Sequence, residues 1–210
     1  LLGLIALVLA WTSAPTARAQ IAPYDDFSHT PAHYAAKAKA GDSEAQFYLG
    51  LALEALGPTA EARWGQARMW IERAAKAGLP EARLRLAQLE LAGGDRLAAT
   101  ANLEAAAEAG FVEAQFDRAK LATEDDDAPT ARRWYAAAAH HGHGPSQFNL
   151  ALLLLDEGRA DAPTEALAWL ILAAEAETAN ATAARDQVAS ALDADSRTKA
   201  AALAERLRQN

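Results

Sequence analysis

Three histidines, His140, His141 and His143, gather around Gly142, and imidazoles in that number could hold zinc or another transition metal. Adjacent residues on a helix point about 100° apart, so His140 and His141 diverge and the three do not converge on one ion. A positive side chain near a helix C-terminus is also favoured electrostatically without any metal. The second concentration of ligand-type side chains is the run Glu124-Asp125-Asp126-Asp127. Calcium loops need oxygen ligands at spaced positions and a turn glycine, which this run lacks. It reads as a solvated loop in which Asp127 or Thr130 caps the helix that Pro129 helps to start. No metal site and no cofactor are expected. The chain has no His-Glu-x-x-His, nucleophile elbow, phosphate loop or dinucleotide fingerprint. Paired carboxylates converge only in a fold, and no pair is singled out by spacing. Catalytic residues are therefore not assigned and an enzyme is not expected. The alternative is an envelope hydrolase or a metal-handling protein, with metal uptake through His140 and His143.

The elements that would position such residues announce themselves by repetition. Gly41, Gly78, Gly110 and Gly142 each close an alanine-rich stretch and open another, 37, 32 and 32 residues apart. Glycine readily takes the left-handed conformation that ends a helix, so the recurrence marks helix C-caps and a period of stacked helical hairpins. Four residues after each glycine stands a small residue, Ala45, Ala82, Ala114 or Ser146, and two further on a large apolar one, Phe47, Leu84, Phe116 or Phe148. The small residue lets two helices approach and the large one fills the space between units. Eight residues before the closing glycines come Trp70, Asn102 and Trp134. Trp169 holds the same place in a fourth unit, whose glycine is replaced by Glu177. Gln46, Gln115 and Gln147 recur at one position, with Arg83 in the second unit, which points to an inter-repeat hydrogen bond.

A single hairpin of this kind is unstable alone. Ordering each residue costs about 1–2 kcal/mol of backbone entropy, while burying one Trp, Phe or Leu returns about 1.5–3 kcal/mol. Units that share faces make up the difference, so an array needs several of them and an atypical end. Residues 181–192 and 196–207 supply two helical stretches without the repeat frame and read as that end, with Asp195 or Ser196 as N-cap. Pro31–Ala40 reads as a half-hairpin under the first full repeat.

Residues 1–19 carry a nearly continuous apolar run, then Ala17-Arg18-Ala19, a small-x-small cleavage pattern; they are expected to be a signal peptide lacking its basic start. Residues 20–30 read as a flexible lead-in. The expected address is periplasmic or secreted, with no integral span in the mature chain. No cysteine is present, so neither disulfides nor thiolate sites contribute. A formal charge of -8 argues against a nucleic-acid partner, which rewards clustered Lys and Arg.

The frame Ala-x-x-Trp-x-x-x-Ala-Ala-x-x-Gly resembles the Sel-one-like repeat family, a relative of the tetratricopeptide repeats. The best match runs from Ala45-Gln46-Phe47-Tyr48-Leu49-Gly50 to Ala67-Arg68-Met69-Trp70-Ile71-Glu72-Arg73-Ala74-Ala75-Lys76-Ala77-Gly78, and the resemblance covers roughly residues 41 to 177. The second unit departs most, lacking the tryptophan and the Leu-Gly pair. The resemblance implies an all-α fold: a right-handed α-α superhelix, or solenoid, of about four helix-turn-helix repeats with a C-terminal helical cap. The array is placed at 31–178 and the cap at 179–210. It also implies protein–protein contact, in the manner of an adaptor.

A binding surface would come from first-helix positions that face away from the buried stripe. With Ala45, Leu49 and Leu53 as one packed face, the third and sixth positions after the alanine point roughly opposite. Those columns read Tyr48, Arg85, Asp117, Asn149 and Leu51, Gln88, Lys120, Leu152. The expected partner-binding residues are Tyr48, Arg85, Gln88, Asp117, Lys120 and Asn149. The expected partner is a protein or peptide of the cell envelope, bound by a monomer in the inner groove of its superhelix.

Overall fold

The computed structural model describes residues 30–56 and 61–209; the apolar segment read as a signal peptide lies outside them, as does residue 210. Eleven helices follow in order: α1 (Pro31–Lys39), α2 (Ser43–Ala55), α3 (Glu61–Lys76), α4 (Pro80–Ala92), α5 (Arg96–Glu108), α6 (Val112–Glu124), α7 (Ala128–His140), α8 (Gly144–Asp156), α9 (Ala162–Glu175), α10 (Ala181–Ala191) and α11 (Ala194–Arg208). Among the described residues there is no strand. From α1 to α9 each helix packs chiefly on its neighbours in sequence, which is the connectivity of a solenoid. Four hairpins result, α2–α3, α4–α5, α6–α7 and α8–α9. The half-hairpin α1 packs against α2, and both α10 and α11 pack on α9.

The closing glycines do what their spacing predicts. Gly41, Gly78, Gly110 and Gly142 have φ of +100°, +94°, +86° and +77°. In each case the following N–H turns back to the helix, as Leu79 N does to Ala74 O at 3.2 Å and His143 N to Ala138 O at 3.2 Å. Those bonds satisfy carbonyls that the helix end leaves open. Glu177 closes α9 in the same way with φ +53°, Thr178 N reaching Ala173 O at 3.0 Å.

The short aspartate run is also explained locally. Asp126 takes the left-handed turn position with φ +56°, and Asp127 caps α7 by accepting from Thr130 N at 3.2 Å. At the C-terminal helix the cap differs from expectation. Asp193, not Asp195 or Ser196, is the N-cap of α11, its carboxylate accepting from Ser196 N at 2.7 Å. Asp195 is already inside the first turn, where its charge still suits the helix dipole.

Small residues line the contacts between helices. Ala82, Ala114 and Ser146 have no exposed surface, and Ala45 almost none. Trp70, Trp134 and Trp169 are all buried, and Arg73 and Arg133 lie over the faces of Trp70 and Trp134 at 4.7 and 4.3 Å. The helices of the first hairpin approach closely. A Cβ on Gly50 would stand 2.6 Å from Ile71 Cγ1 and 3.1 Å from the Ala67 carbonyl oxygen.

The recurrent glutamines cross the repeat boundaries. Gln46, Gln115 and Gln147 donate from Nε2 to the carbonyls of Ala38, Ala107 and Ala139 at 3.1, 3.2 and 3.2 Å. Each therefore ties the start of one hairpin to the last turn of the helix before it. Charged pairs reinforce the same junctions on the outside. Arg96 of α5 reaches Glu124 and Asp125 at the end of α6, and Arg132 of α7 reaches Glu157 beyond α8.

Candidate functional site

The first helices α2, α4 and α6 present a chain of polar side chains that runs from hairpin to hairpin. Arg85 on α4 donates to both carboxylate oxygens of Glu54 on α2, from Nε at 3.0 Å and from Nη2 at 3.1 Å. The Glu54 side chain is only 9% exposed, so this is a planar, two-pronged pair at the edge of the interior. The same guanidinium donates from Nη1 to Gln88 Oε1 at 3.2 Å. Gln88 in turn lies beside the Asp117 carboxylate of α6 and favours its ionised form. Glu54, Arg85 and Gln88 are thus joined by hydrogen bonds across two hairpins, and Gln88 brings Asp117 of the third alongside them.

Asp117 is the electrostatically unusual member. Burial raises its carboxyl pKa above the ordinary value, opposed by the positive charge of Lys120 and by Gln88. Lys120 is exposed, with its ammonium 5.7 Å from the Phe116 ring centre. Beyond it Tyr135 of α7 is buried, 6.0 Å from Phe116, and desolvation pushes its phenol up to about 12. At the other end Tyr48 is half-buried between Phe47 and Tyr34, with ring centres at 5.5 and 5.7 Å. Asn149 of α8 is half-buried.

Of the six residues expected on this face, the structure brings Arg85, Gln88, Asp117 and Lys120 together. Tyr48 packs among aromatic rings at the α1–α2 end, and Asn149 lies one hairpin beyond Asp117. Leu51, from the same columns, packs against the first core instead. Sequence reasoning missed Glu54. Its position three residues after Leu51, on the same side of α2, was the available signal.

The histidines part company in space. His140 sets its edge against Trp169 with ring centres 5.2 Å apart, whereas His143 lies 4.8 Å from Phe116. His143 is the N-cap of α8: its Nδ1 accepts from Ser146 N at 3.3 Å and lies 2.8 Å from Ser146 Oγ. Burial lowers its pKa, with Glu113 acting in the opposite sense. Among the described residues no three His, Cys, Asp or Glu side chains are grouped to hold a metal.

Comparison with solved structures places this architecture. A protective antigen present in uropathogenic Escherichia coli strains, which displays an SLR fold, superimposes with a TM-score of 0.73 at 22% identity, over 85% of this chain and 40% of its own. A Sel1 repeat protein from Oxalobacter formigenes matches with a TM-score of 0.65 at 27% identity, over 75% of this chain and 48% of its own. This chain has a Sel1-like repeat fold. MamA shares the fold more distantly, with a TM-score of 0.52 at 17% identity over 73% of this chain and 90% of its own. The Sel1-like chain therefore spans less than half the length of the first two proteins. No family model and no curated protein matches the sequence. Within the Sel1-like frame the second hairpin is the irregular unit, because Asn102 occupies the place of the buried tryptophan.

Proposed function

We propose that this chain is a non-catalytic interaction module of the cell envelope that receives a protein or peptide segment along its first-helix face. The observation that carries the reading is the polar row Glu54, Arg85, Gln88 and Asp117, which runs along the first helices of three successive hairpins. Arg85 is held by Glu54 and serves to organise the surface, so recognition falls to Asp117, Lys120, Tyr48 and Asn149. A desolvated carboxylate at Asp117 favours a ligand that brings a cationic side chain to it. Among the described residues no helix is long and apolar enough to cross a membrane. The Escherichia coli protein of the same fold is a protective antigen, which supports an exported setting.

The test is in-cell crosslinking of the full chain, followed by comparison of Asp117→Asn and Lys120→Glu with the unaltered protein. Both positions tolerate polar replacement without disturbing the Arg85–Glu54 pair, so circular dichroism is expected to be unchanged. Capture of the principal crosslinked protein is expected to fall about tenfold with Asp117→Asn, which corresponds to about 1.4 kcal/mol, and to rise with Lys120→Glu, which adds negative charge where the cationic side chain docks. Equal capture by all three proteins would reject this face as the binding surface.

A further inference from the structure

The second hairpin departs from the repeat frame at three positions, and the fold brings all three together. Arg83 stands where the other hairpins have Gln46, Gln115 and Gln147; Glu90 where they have Leu53, Ala122 and Leu154; and Asn102 where they have Trp70, Trp134 and Trp169. These residues line one crevice of about 330 Å³ with Glu72 and Lys76 of α3. Glu90 is 6% exposed, and both of its carboxylate oxygens are reached by a single donor, Asn102 Nδ2, at 3.1 and 2.9 Å. A carboxylate can accept several more hydrogen bonds than that. Glu72 is committed to Arg68 at 2.8 Å, whereas among the described residues neither Lys76 nor Arg83 has an ion-pair partner. The apolar core is also interrupted here: Leu86 belongs to the cluster around Phe47 and Ile71, and Leu84 and Ala87 to the cluster that continues toward α11.

We infer that this crevice is a binding site for a small zwitterion of the amino-acid class, its carboxylate held by Arg83 and Lys76 and its ammonium by Glu90. Separated charges of both signs in a space of this size match a molecule that carries both signs itself. No aromatic face lines the crevice, so a sugar ring has nothing to stack on. A leucine and a tryptophan at positions 90 and 102, the pair found in the first and fourth hairpins as Leu53 with Trp70 and Leu154 with Trp169, would fill the space with apolar groups. Replacing that apolar contact by an under-coordinated carboxylate weakens packing, and ligand contact supplies what packing lost. Residues 83 and 85 lie about 200° apart around α4, so the crevice opens away from the Arg85–Gln88 face and is independent of it.

The experiment is an NMR titration of the isotope-labelled protein with L-alanine and L-glutamine. N-acetylalanine, which lacks the ammonium, and alanine amide, which lacks the carboxylate, are the controls. Saturable shifts are expected at the amides of Arg83, Glu90 and Asn102, with both blocked compounds binding at least about tenfold more weakly. The comparison protein carries Arg83→Gln, Glu90→Leu and Asn102→Trp. Every one of these changes installs a residue used at that place in another hairpin, so the variant is expected to fold with an undiminished melting temperature and to show no saturable shift. Glu90→Gln alone, which keeps shape and removes charge, is expected to weaken binding at least about tenfold. Absence of saturable shifts in the unaltered protein, equal binding of the blocked compounds, or undiminished binding by Glu90→Gln would each overturn the assignment.

Discussion

The Gln147 side-chain amide donates to the Ala139 carbonyl at 3.2 Å across the junction between the third and fourth hairpins, and Gly142, which reverses the chain between them, donates to that same carbonyl at 3.0 Å. One carbonyl thereby records both the end of a helix and the docking of the next. Gln115 and Ala107 repeat the relationship one hairpin earlier. A buried hydrogen bond of this kind contributes about 1 kcal/mol net. Gln115→Ala and Gln147→Ala are each expected to lower stability by about 1–2 kcal/mol in urea unfolding, and the double variant by roughly the sum, since the two sites share no partner. A double variant no less stable than either single one would show that these bonds do not hold the junctions.

Glu177 occupies the closing position that glycine holds elsewhere, with φ +53°. An L side chain in the left-handed region is disfavoured by about 1–2 kcal/mol, offset in part by the greater freedom of glycine in the unfolded chain. Glu177→Gly is therefore expected to stabilise the fold by about 0.5–1 kcal/mol. Thermal melts of the two proteins decide it, and a lowered melting temperature would contradict the cap.

Gly50 of α2 lies close against α3. Its obstacles are the Ile71 side chain and the Ala67 carbonyl oxygen, neither of which is the far end of a flexible chain. Gly50→Ala is expected to destabilise by about 1–3 kcal/mol despite alanine's better helix propensity. If chemical denaturation instead shows a gain, propensity outweighs packing at this site.

Arg85 and Glu54 form a pair whose acidic member is nearly enclosed. Removing the cation leaves that carboxylate unpaired at the boundary of α2 and α4, so Arg85→Ala is expected to cost about 2–4 kcal/mol, while Arg85→Ala combined with Glu54→Leu recovers most of the loss. A purely additive result in the double-variant cycle would mean that the two side chains do not interact in solution.

His143 links pH to stability through the cap of α8. Burial holds its pKa below the ordinary 6.5, so the folded chain binds this proton less readily than the unfolded chain. The contribution is fully present above about 6.5 and is lost as pH falls through the lower folded value. Asp117 has the opposite sign, its raised pKa favouring the fold on the acid side of that carboxyl's titration. NMR titration of the His143 ring is expected to show the depressed pKa. His143→Asn, which retains an acceptor cap, is expected to flatten the stability profile between pH 7 and the histidine range. A ring that titrates at or above 6.5 would remove the basis for this prediction.

Much of this architecture was legible from sequence because its signals are local. Helix ends at Gly41, Gly78, Gly110 and Gly142 follow from the conformational freedom of one residue type. The small and large residues that follow each glycine repeat because every hairpin meets its neighbour in the same way. The Gln column belongs to the same class: a side chain repeated in register marks a contact repeated in register. The first-helix columns could be named from helical periodicity alone, which is why Arg85, Gln88, Asp117 and Lys120 emerged as a group.

What sequence could not supply is which irregular residues meet. Glu54 and Arg85 come from different hairpins, as do Gln88 and Asp117, and their contact depends on how successive first helices align. Arg83, Glu90 and Asn102 look like three unrelated lapses in a repeat until α3, α4 and α5 pack and enclose them around one crevice. His140 and His143 look like one cluster until the chain reverses at Gly142 and sends them to different aromatic rings. Caps and periods are set by a few consecutive residues and their backbone angles, whereas pairings across helices are set by crossing geometry, which only the packed chain defines.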